Sequence, residues 1–265
     1  VEREGQRYVL IDGERGWRCC LKLKHKTVPA LVQEKPEPLT NLLLMFNIHA
    51  LREQWDLLTI ALKLPRVVEL LTDEHGRLPT EQQISEHTGL ARSVIRRCKL
   101  LMDLPAEHQD AILTELRKPK SKQKLTEDFY IEMERSLRAV ERAMPDVLED
   151  KNAVRDVLID KYRSGTIANM VDLRKVAKIA RAENVEADPQ KARKALTKLF
   201  ARNRYGVASA YEESVAGAYD ERDILGRLDA LLHRLEDLDP SVLDDPVVER
   251  LLALREVVER LLRGR

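Results

Sequence analysis

Five side chains grouped on one short stretch give the chain its most distinctive chemistry. Residues 81–101 read EQQISEHTGLARSVIRRCKLL, and Arg92, Ser93, Arg96, Arg97 and Lys99 follow Gly89 with no acid among them. A guanidinium carries parallel N–H donors that match guanine O6 and N7, worth about 1–3 kcal/mol of discrimination per good pair. Such a face needs a scaffold, and the apolar spacing supplies one. Ile84 is the buried residue of a first helix, and Ser85 is the small residue where two helices cross. Gly89 tolerates the positive φ of a tight turn, and Leu90 plugs the space behind it. Val94, Ile95, Cys98 and Leu101 fall inward on a second helix, and Pro79-Thr80 is a start signal ahead of the first. This pattern predicts a helix-turn-helix whose second helix lays its N-terminal half in the major groove of double-stranded DNA. Arg92, Ser93, Arg96 and Arg97 are then the expected base readers, with Lys99 beside them. The rival is a core hairpin with solvated arginines, but that needs neither the turn glycine nor a small residue four positions earlier. Arg77 and the basic run 117–124 (RKPKSKQK), with Lys118, Lys120 and Lys122, are expected to hold phosphates. Such contacts add affinity without reading sequence.

A second candidate lies at residues 12–18, DGERGWR. A glycine at a strand end lets backbone N–H groups approach phosphate, and Arg15 and Arg18 could neutralise it. Other constellations are weaker. Cys19, Cys20 and Cys98 form no C-x-x-C or Cys/His set, which suits reduced, packed thiols of a cytosolic protein. His25, His49, His75, His87, His108 and His233 are scattered, although His49 beside Asn47 could touch a ligand. Asp12 and Glu14 are the only acids of residues 12–18, and a metal nuclease needs a cluster of converging acids. No catalytic residue and no metal ligand is therefore assigned. Trp17 and Trp55 read as core anchors rather than base-stacking platforms.

Composition fits that picture. Of 265 residues, 43% are apolar, 4% aromatic and 34% charged, with a net charge of +1. Helices with wet, ion-paired faces suit this mixture, and any nucleic-acid surface must be a local patch. No membrane-spanning run or signal peptide is visible, although the chain starts at Val1 rather than Met. Strands are expected at 7–11 and 27–33 around a helix at 17–23, with a linker at 34–38. Helices follow at 39–51, 54–64 and 65–72, the last started by Pro65, and then a turn at 73–77. After the helix-turn-helix, helices are expected at 106–116, 127–143, 151–164, 170–181 and from Asp188-Pro189 to about 203. Residues 205–219 read as a flexible joint, and 220–265 as two heptad-like helices. The fold class is thus mainly α: a small N-terminal α/β unit (1–38), a helix-turn-helix domain (39–125), a helical domain (126–204) and a C-terminal hairpin (205–265).

Two further stretches carry a family resemblance. Residues 8–32, YVLIDGERGWRCCLKLKHKTVPALV, resemble the N-terminal core of the ParB partition-protein family, where a strand runs into a G-E-R-R-x-R box and a later strand contains V-P. Residues 100–105, LLMDLP, are similar to the L-L-x-L-P signature that closes that family's DNA-binding domain. With the helix-turn-helix, the order agrees from about residue 1 to 116, under half the chain. The resemblance implies a clamp-like, cytoplasmic, nucleoid-associated DNA-binding protein acting in plasmid or chromosome partition or in transcription regulation. Because operators read by helix-turn-helix proteins are commonly two-fold, a homodimer is expected, with the tail hairpin as its candidate interface. It also implies an N-terminal domain that binds CTP with magnesium, its contacts mapping to Gly13, Glu14 and Arg15, with Arg18 and Asn47 alongside. The sequence departs from the pattern. Gly16 stands for the second arginine of the box. In the family's E-N-x-x-R motif, Phe46 replaces the acid and Ala50 the arginine, while Arg52 and Glu53 are out of register. CTP hydrolysis is therefore not expected. The chain begins inside the family's N-terminal domain, so that unit is expected to be truncated. The alternative is a ParB-like DNA-targeting adaptor subunit that docks a partner protein of a defence or nuclease assembly through its C-terminal half.

Overall fold

The computed structural model describes residues 1–50, 55–202, 204–239 and 243–264. Arg52, Glu53 and Asn203 lie outside the described residues. The chain is mainly helical, with one small sheet at its N-terminus.

In that sheet, β1 (Glu2–Glu4) pairs antiparallel with β2 (Arg7–Val9) and parallel with β3 (Gln33–Glu34), in the order β2-β1-β3. The expected strand at 27–33 is thus confined to its last residue and Glu34. Pro29 cannot donate to a ladder, and the preceding segment lies open, with Leu31 86% exposed. Helix α1 (Glu14–Lys22) starts three residues earlier than expected. Gly13, at φ 86°, turns the chain, and its carbonyl accepts the Trp17 N–H at 3.0 Å. No residue of α1 is buried. Trp17 is 43% exposed and Cys19 is exposed, so neither is the packed side chain the sequence suggests.

Pro38 opens α2 (Pro38–Met45), which widens into a π-helical turn at Phe46–Ala50. Helix α3 (Leu57–His75) then runs straight through Pro65, where a new helix was expected. Pro65 is exposed, and the inward stripe Leu58, Ala61, Leu64, Val67 and Leu71 continues on both sides of it. Burial of that continuous stripe outweighs the ~3 kcal/mol that an internal proline costs. Asp56 caps the start by accepting the Thr59 N–H at 2.7 Å, and Gly76, at φ 68°, ends the helix.

Helices α4 (Glu81–Thr88), α5 (Arg92–Met102) and α6 (Ala106–Leu116) are followed by α7 (Glu127–Ala143), α8 (Lys151–Arg163), α9 (Leu173–Ala180), α10 (Pro189–Phe200) and α11 (Val207–Ser214). One continuous core runs through them from Phe46 to Val215. Helix α7 is its axis, burying Phe129, Tyr130, Met133, Leu137 and Val140. It also buries Glu134, whose carboxylate receives Arg155 Nε at 2.6 Å and Nη2 at 2.9 Å. The expected flexible joint at 205–219 is instead α11 and the start of α12 (Ala216–Glu236), with Val207, Ala210, Val215 and Ala216 buried. Gly206 is required there, because a Cβ would meet the Thr166 carbonyl oxygen at 2.8 Å.

Helices α12 (Ala216–Glu236) and α13 (Asp245–Arg263) carry the tail's apolar stripes. Of these two helices only Ala216 is buried among the described residues, while Ile224, Leu228, Val258 and Leu261 are 57%, 42%, 40% and 66% exposed. Among the described residues no helix is long and apolar enough to cross a membrane.

Candidate nucleic-acid interface

Helices α4 and α5 stand as the sequence requires. Thr80 and Gln83 form a reciprocal capping box at the start of α4. Gly89 ends it at φ 72°, with its N–H on the Ser85 carbonyl. The small side chain of Ser85 also ties the turn, its Oγ donating to the Leu90 carbonyl at 2.6 Å. Ile84, Leu90, Ile95, Cys98 and Leu101 are all buried in the shared core, where α5 packs against α3, α4 and α7.

The opposite face of α5 is polar. Arg92, Ser93 and Arg96 are exposed, and Arg92 has no ion-pair partner among the described residues. Glu81 receives Arg96 Nε at 2.9 Å and Lys99 Nζ at 3.0 Å. The Lys99 and Arg96 hydrogen bonds hold the Glu81 carboxyl below its ordinary range, so Glu81 is ionised and holds both arms at neutral pH. Arg97 projects to the flank and meets Asp128 of α7 at 2.5 Å. Arg138 of α7 pairs with Asp103 just past α5. Helix α5 is therefore braced along its side by α7, and its front is left to Arg92, Ser93 and Arg96.

The basic run is an ordered loop. Residues Lys120–Lys122 form a short 3-10 turn. Glu115, itself buried, accepts from Lys118 Nζ at 2.5 Å and from the Lys124 N–H at 2.5 Å. The Lys118 contact, then the Lys124 N–H, keeps the Glu115 carboxyl below the usual range. A lowered carboxyl stabilises above its unfolded pKa and loses that contribution as pH falls through the folded value. The tether is thus complete at neutral pH. Lys120, Lys122 and Arg77 are exposed, with no ion pair among the described residues.

Cys98 sits under this face. Burial pushes its thiol up to about 12. At pH 8 the folded protein is expected to give two thiols, Cys19 and Cys20, to a disulfide-exchange reagent, and Cys98 only on unfolding. Reaction of Cys98 at the rate of Cys19 would contradict the packing of α5.

The N-terminal candidates are not brought together in the same way. A cleft of about 1210 Å³ is lined by Tyr8, Leu10, Gly13, Trp17, Val28 and Ile48, among others. Among the described residues its lining holds one carboxylate, Asp12, and no lysine or arginine. Arg18 is turned onto Glu14 at 2.6 Å, and Arg15 and Asn47 are exposed outside the lining. Phe46, where the family motif carries an acid, is fully buried and packs edge-on against Trp55 at 5.5 Å. Among the described residues no three His, Cys, Asp or Glu side chains converge on a possible ion. A magnesium triphosphate needs cations beside a carboxylate on the cleft wall; the described lining offers Asp12 without a lysine or arginine, so it does not fit that group.

No protein-family model matches the chain, and no solved structure matches it. Two curated proteins do. The nucleoid occlusion protein of Bacillus licheniformis is 34% identical over 114 residues, which is 43% of this chain and 37% of that protein. The nucleoid occlusion protein of Shouchella clausii is 31% identical over 114 residues, 43% of this chain and 38% of its own length. The chain thus spans under two-fifths of the length of the curated relatives it matches. These are ParB-type proteins, so the likeness agrees at family level with the resemblance read from residues 8–32 and 100–105.

Proposed function

We propose that this chain is a ParB-like helix-turn-helix protein that binds double-stranded DNA sequence-specifically and acts at the nucleoid. The observation that carries the reading is the front of α5: Arg92, Ser93 and Arg96 exposed on one side, and Ile95, Cys98 and Leu101 fully buried on the other. A helix held so firmly from behind can present guanidinia to base edges without a large ordering cost. Arg97 and Lys99 stand at its sides, and Arg77, Lys118, Lys120 and Lys122 take phosphates. The kinship with nucleoid occlusion proteins favours a chromosome-associated role over a purely regulatory one. Selection of bound duplexes from a random library, with and without CTP and magnesium, tests the reading. A motif enriched by the parent chain and lost in Arg92→Ala/Arg96→Ala is expected, unchanged by CTP. No enrichment would refute sequence reading.

The reading includes a homodimer joined through α12 and α13. Among the described residues most of the large apolar side chains exposed outside the N-terminal unit lie on or beside these two helices, and two-fold operators are commonly read by two-fold proteins. Leu228→Asp/Leu261→Asp is expected to halve the mass seen by light scattering and to weaken binding to a two-fold site more than to a half-site. A monomeric parent would remove the dimer from the proposal.

A further inference from the structure

Segment 173–204 holds ten Lys and Arg against three Asp and Glu, in a chain whose net charge is +1. Three of these cations share one stripe. Lys191, Lys194 and Lys198 recur at helical spacing on α10, all exposed, while Ala192, Ala195, Leu196 and Leu199 are buried. They border a recess of about 260 Å³ shared with Tyr205 and Glu213. Lys198 Nζ lies 3.8 Å from the centre of the Tyr205 ring and 3.9 Å from Glu213. Lys191 and Lys194 have no ion-pair partner among the described residues. Arg202, just beyond the helix, is exposed and 3.9 Å from Asp160.

On α12 and α13, by contrast, Arg227 is offset by Asp223 and Arg255 by Glu259, each one turn away on its own helix. Like charges three and four residues apart repel by roughly 0.2–0.5 kcal/mol per pair, so an anion that sits along the stripe relieves the repulsion. The dimensions fit a nucleic-acid backbone. From Lys191 to Lys198 the helix advances about 10 Å at ~1.5 Å per residue, the axial length of about three phosphates of one duplex strand at ~3.4 Å each. A protein partner is the poorer fit. Lysine is depleted in protein interfaces, which rely on aromatic and apolar anchors. Between Val171 and Ile224 no large apolar side chain is exposed among the described residues.

We infer that the α10 stripe of Lys191, Lys194 and Lys198 is a second DNA-binding face, one that holds the phosphate backbone of duplex DNA without regard to sequence. It rests on the proposed function only in taking duplex DNA as the ligand, and it does not depend on base reading by α5.

The test uses the full chain and a labelled duplex of random sequence, titrated by anisotropy across a salt series. The variants are Lys191→Gln/Lys194→Gln/Lys198→Gln and the corresponding Glu triple, each checked by thermal melting. The slope of log affinity against log salt is expected to become shallower by about 2.7 in the Gln triple, from ~0.9 per neutralised phosphate. Affinity is expected to fall further in the Glu triple. The ratio of affinities for a selected site and the random duplex should stay constant, because that ratio belongs to α5. Unchanged slope and affinity in both folded variants would overturn the inference and turn attention to an acidic protein as the occupant. Arg92→Ala/Arg96→Ala keeps the two readings apart. If the parent shows no site preference but the Gln triple still loses slope, base reading fails and the α10 face stands.

Discussion

The Arg92→Ala/Arg96→Ala variant is expected to lose about 2–6 kcal/mol of discrimination between its selected site and a random duplex, on the basis of two bidentate guanine contacts. That is roughly a 30-fold to 10⁴-fold fall in the affinity ratio. Non-specific affinity should fall much less, because Arg77 and the lysines of the 117–124 loop are untouched. The split follows from where these groups sit. Arg92 and Arg96 lie one turn apart on the exposed front of α5, where no buried neighbour depends on them. Their removal leaves no cavity, and the melting temperature should stay within a degree or two. Arg97→Ala is the informative contrast. Its guanidinium meets Asp128 on α7 rather than standing on the front. Exposed pairs of that kind contribute about 0–1 kcal/mol, so this variant should shift stability slightly and retain most discrimination. Glu81→Gln separates a further role. It frees Arg96 and Lys99 and removes a negative charge beside the face, so non-specific affinity should rise while discrimination falls. Equal loss on selected and random duplexes in the double variant would show that these arginines bind phosphates only.

The sequence made α4 and α5 legible because every requirement lies within about twenty residues. A cap, a small crossing residue, a left-handed glycine and an inward stripe are all local, and the structure places each of them. The N-terminal sheet was less legible because strand pairing is not local. Strand β1 is three residues long, and its partners lie at Arg7–Val9 and at Gln33–Glu34. No periodicity over three residues could announce it. Pro65 misled for a related reason. A proline speaks for its own turn, whereas the burial that overrides it is set by the whole face of α3. In one dimension Arg97 is indistinguishable from the base reader Arg96 beside it. Asp128, thirty-one positions away, distinguishes them. No glycine turn or signature frames the lysines of α10, so nothing local marks them in the sequence. The available signal was the local charge imbalance in segment 173–204, which the near-neutral whole chain concealed.

Glu134→Ala is expected to cost about 3–5 kcal/mol, because it leaves Arg155 charged and buried without its partner. Both side chains are almost wholly withdrawn from water, and the carboxylate takes both guanidinium N–H donors at 2.6 Å and 2.9 Å. At about 2–4 °C per kcal/mol for a chain of this size, the melting temperature should fall by roughly 6–20 °C. The penalty belongs to the widow rather than to the bond, and this can be measured. Glu134→Leu/Arg155→Met replaces both charges with apolar volume, and such replacements are often neutral or stabilising. The remaining neighbours do not obstruct recovery. Asn152, which accepts from Arg155 at 2.5 Å, is exposed and returns to water, and Lys151 keeps Glu141 at 3.0 Å. The double variant should therefore regain most of the lost stability, with a large coupling in the mutant cycle. Helix α7 is the element at stake. It braces α5 through Asp128 and Arg138, and it caps α3 where Glu127 accepts the Leu58 N–H at 2.6 Å. Well below its melting point, Glu134→Ala should still hold α5 in place and bind a selected duplex normally. Binding should fail only as temperature approaches the lowered transition. Loss of binding at low temperature with the fold intact would mean that the buried pair sets the pose of α5 itself. A melting temperature within 2 °C of the parent would mean that water reaches Arg155, and the core around α7 would then be looser than its packing implies.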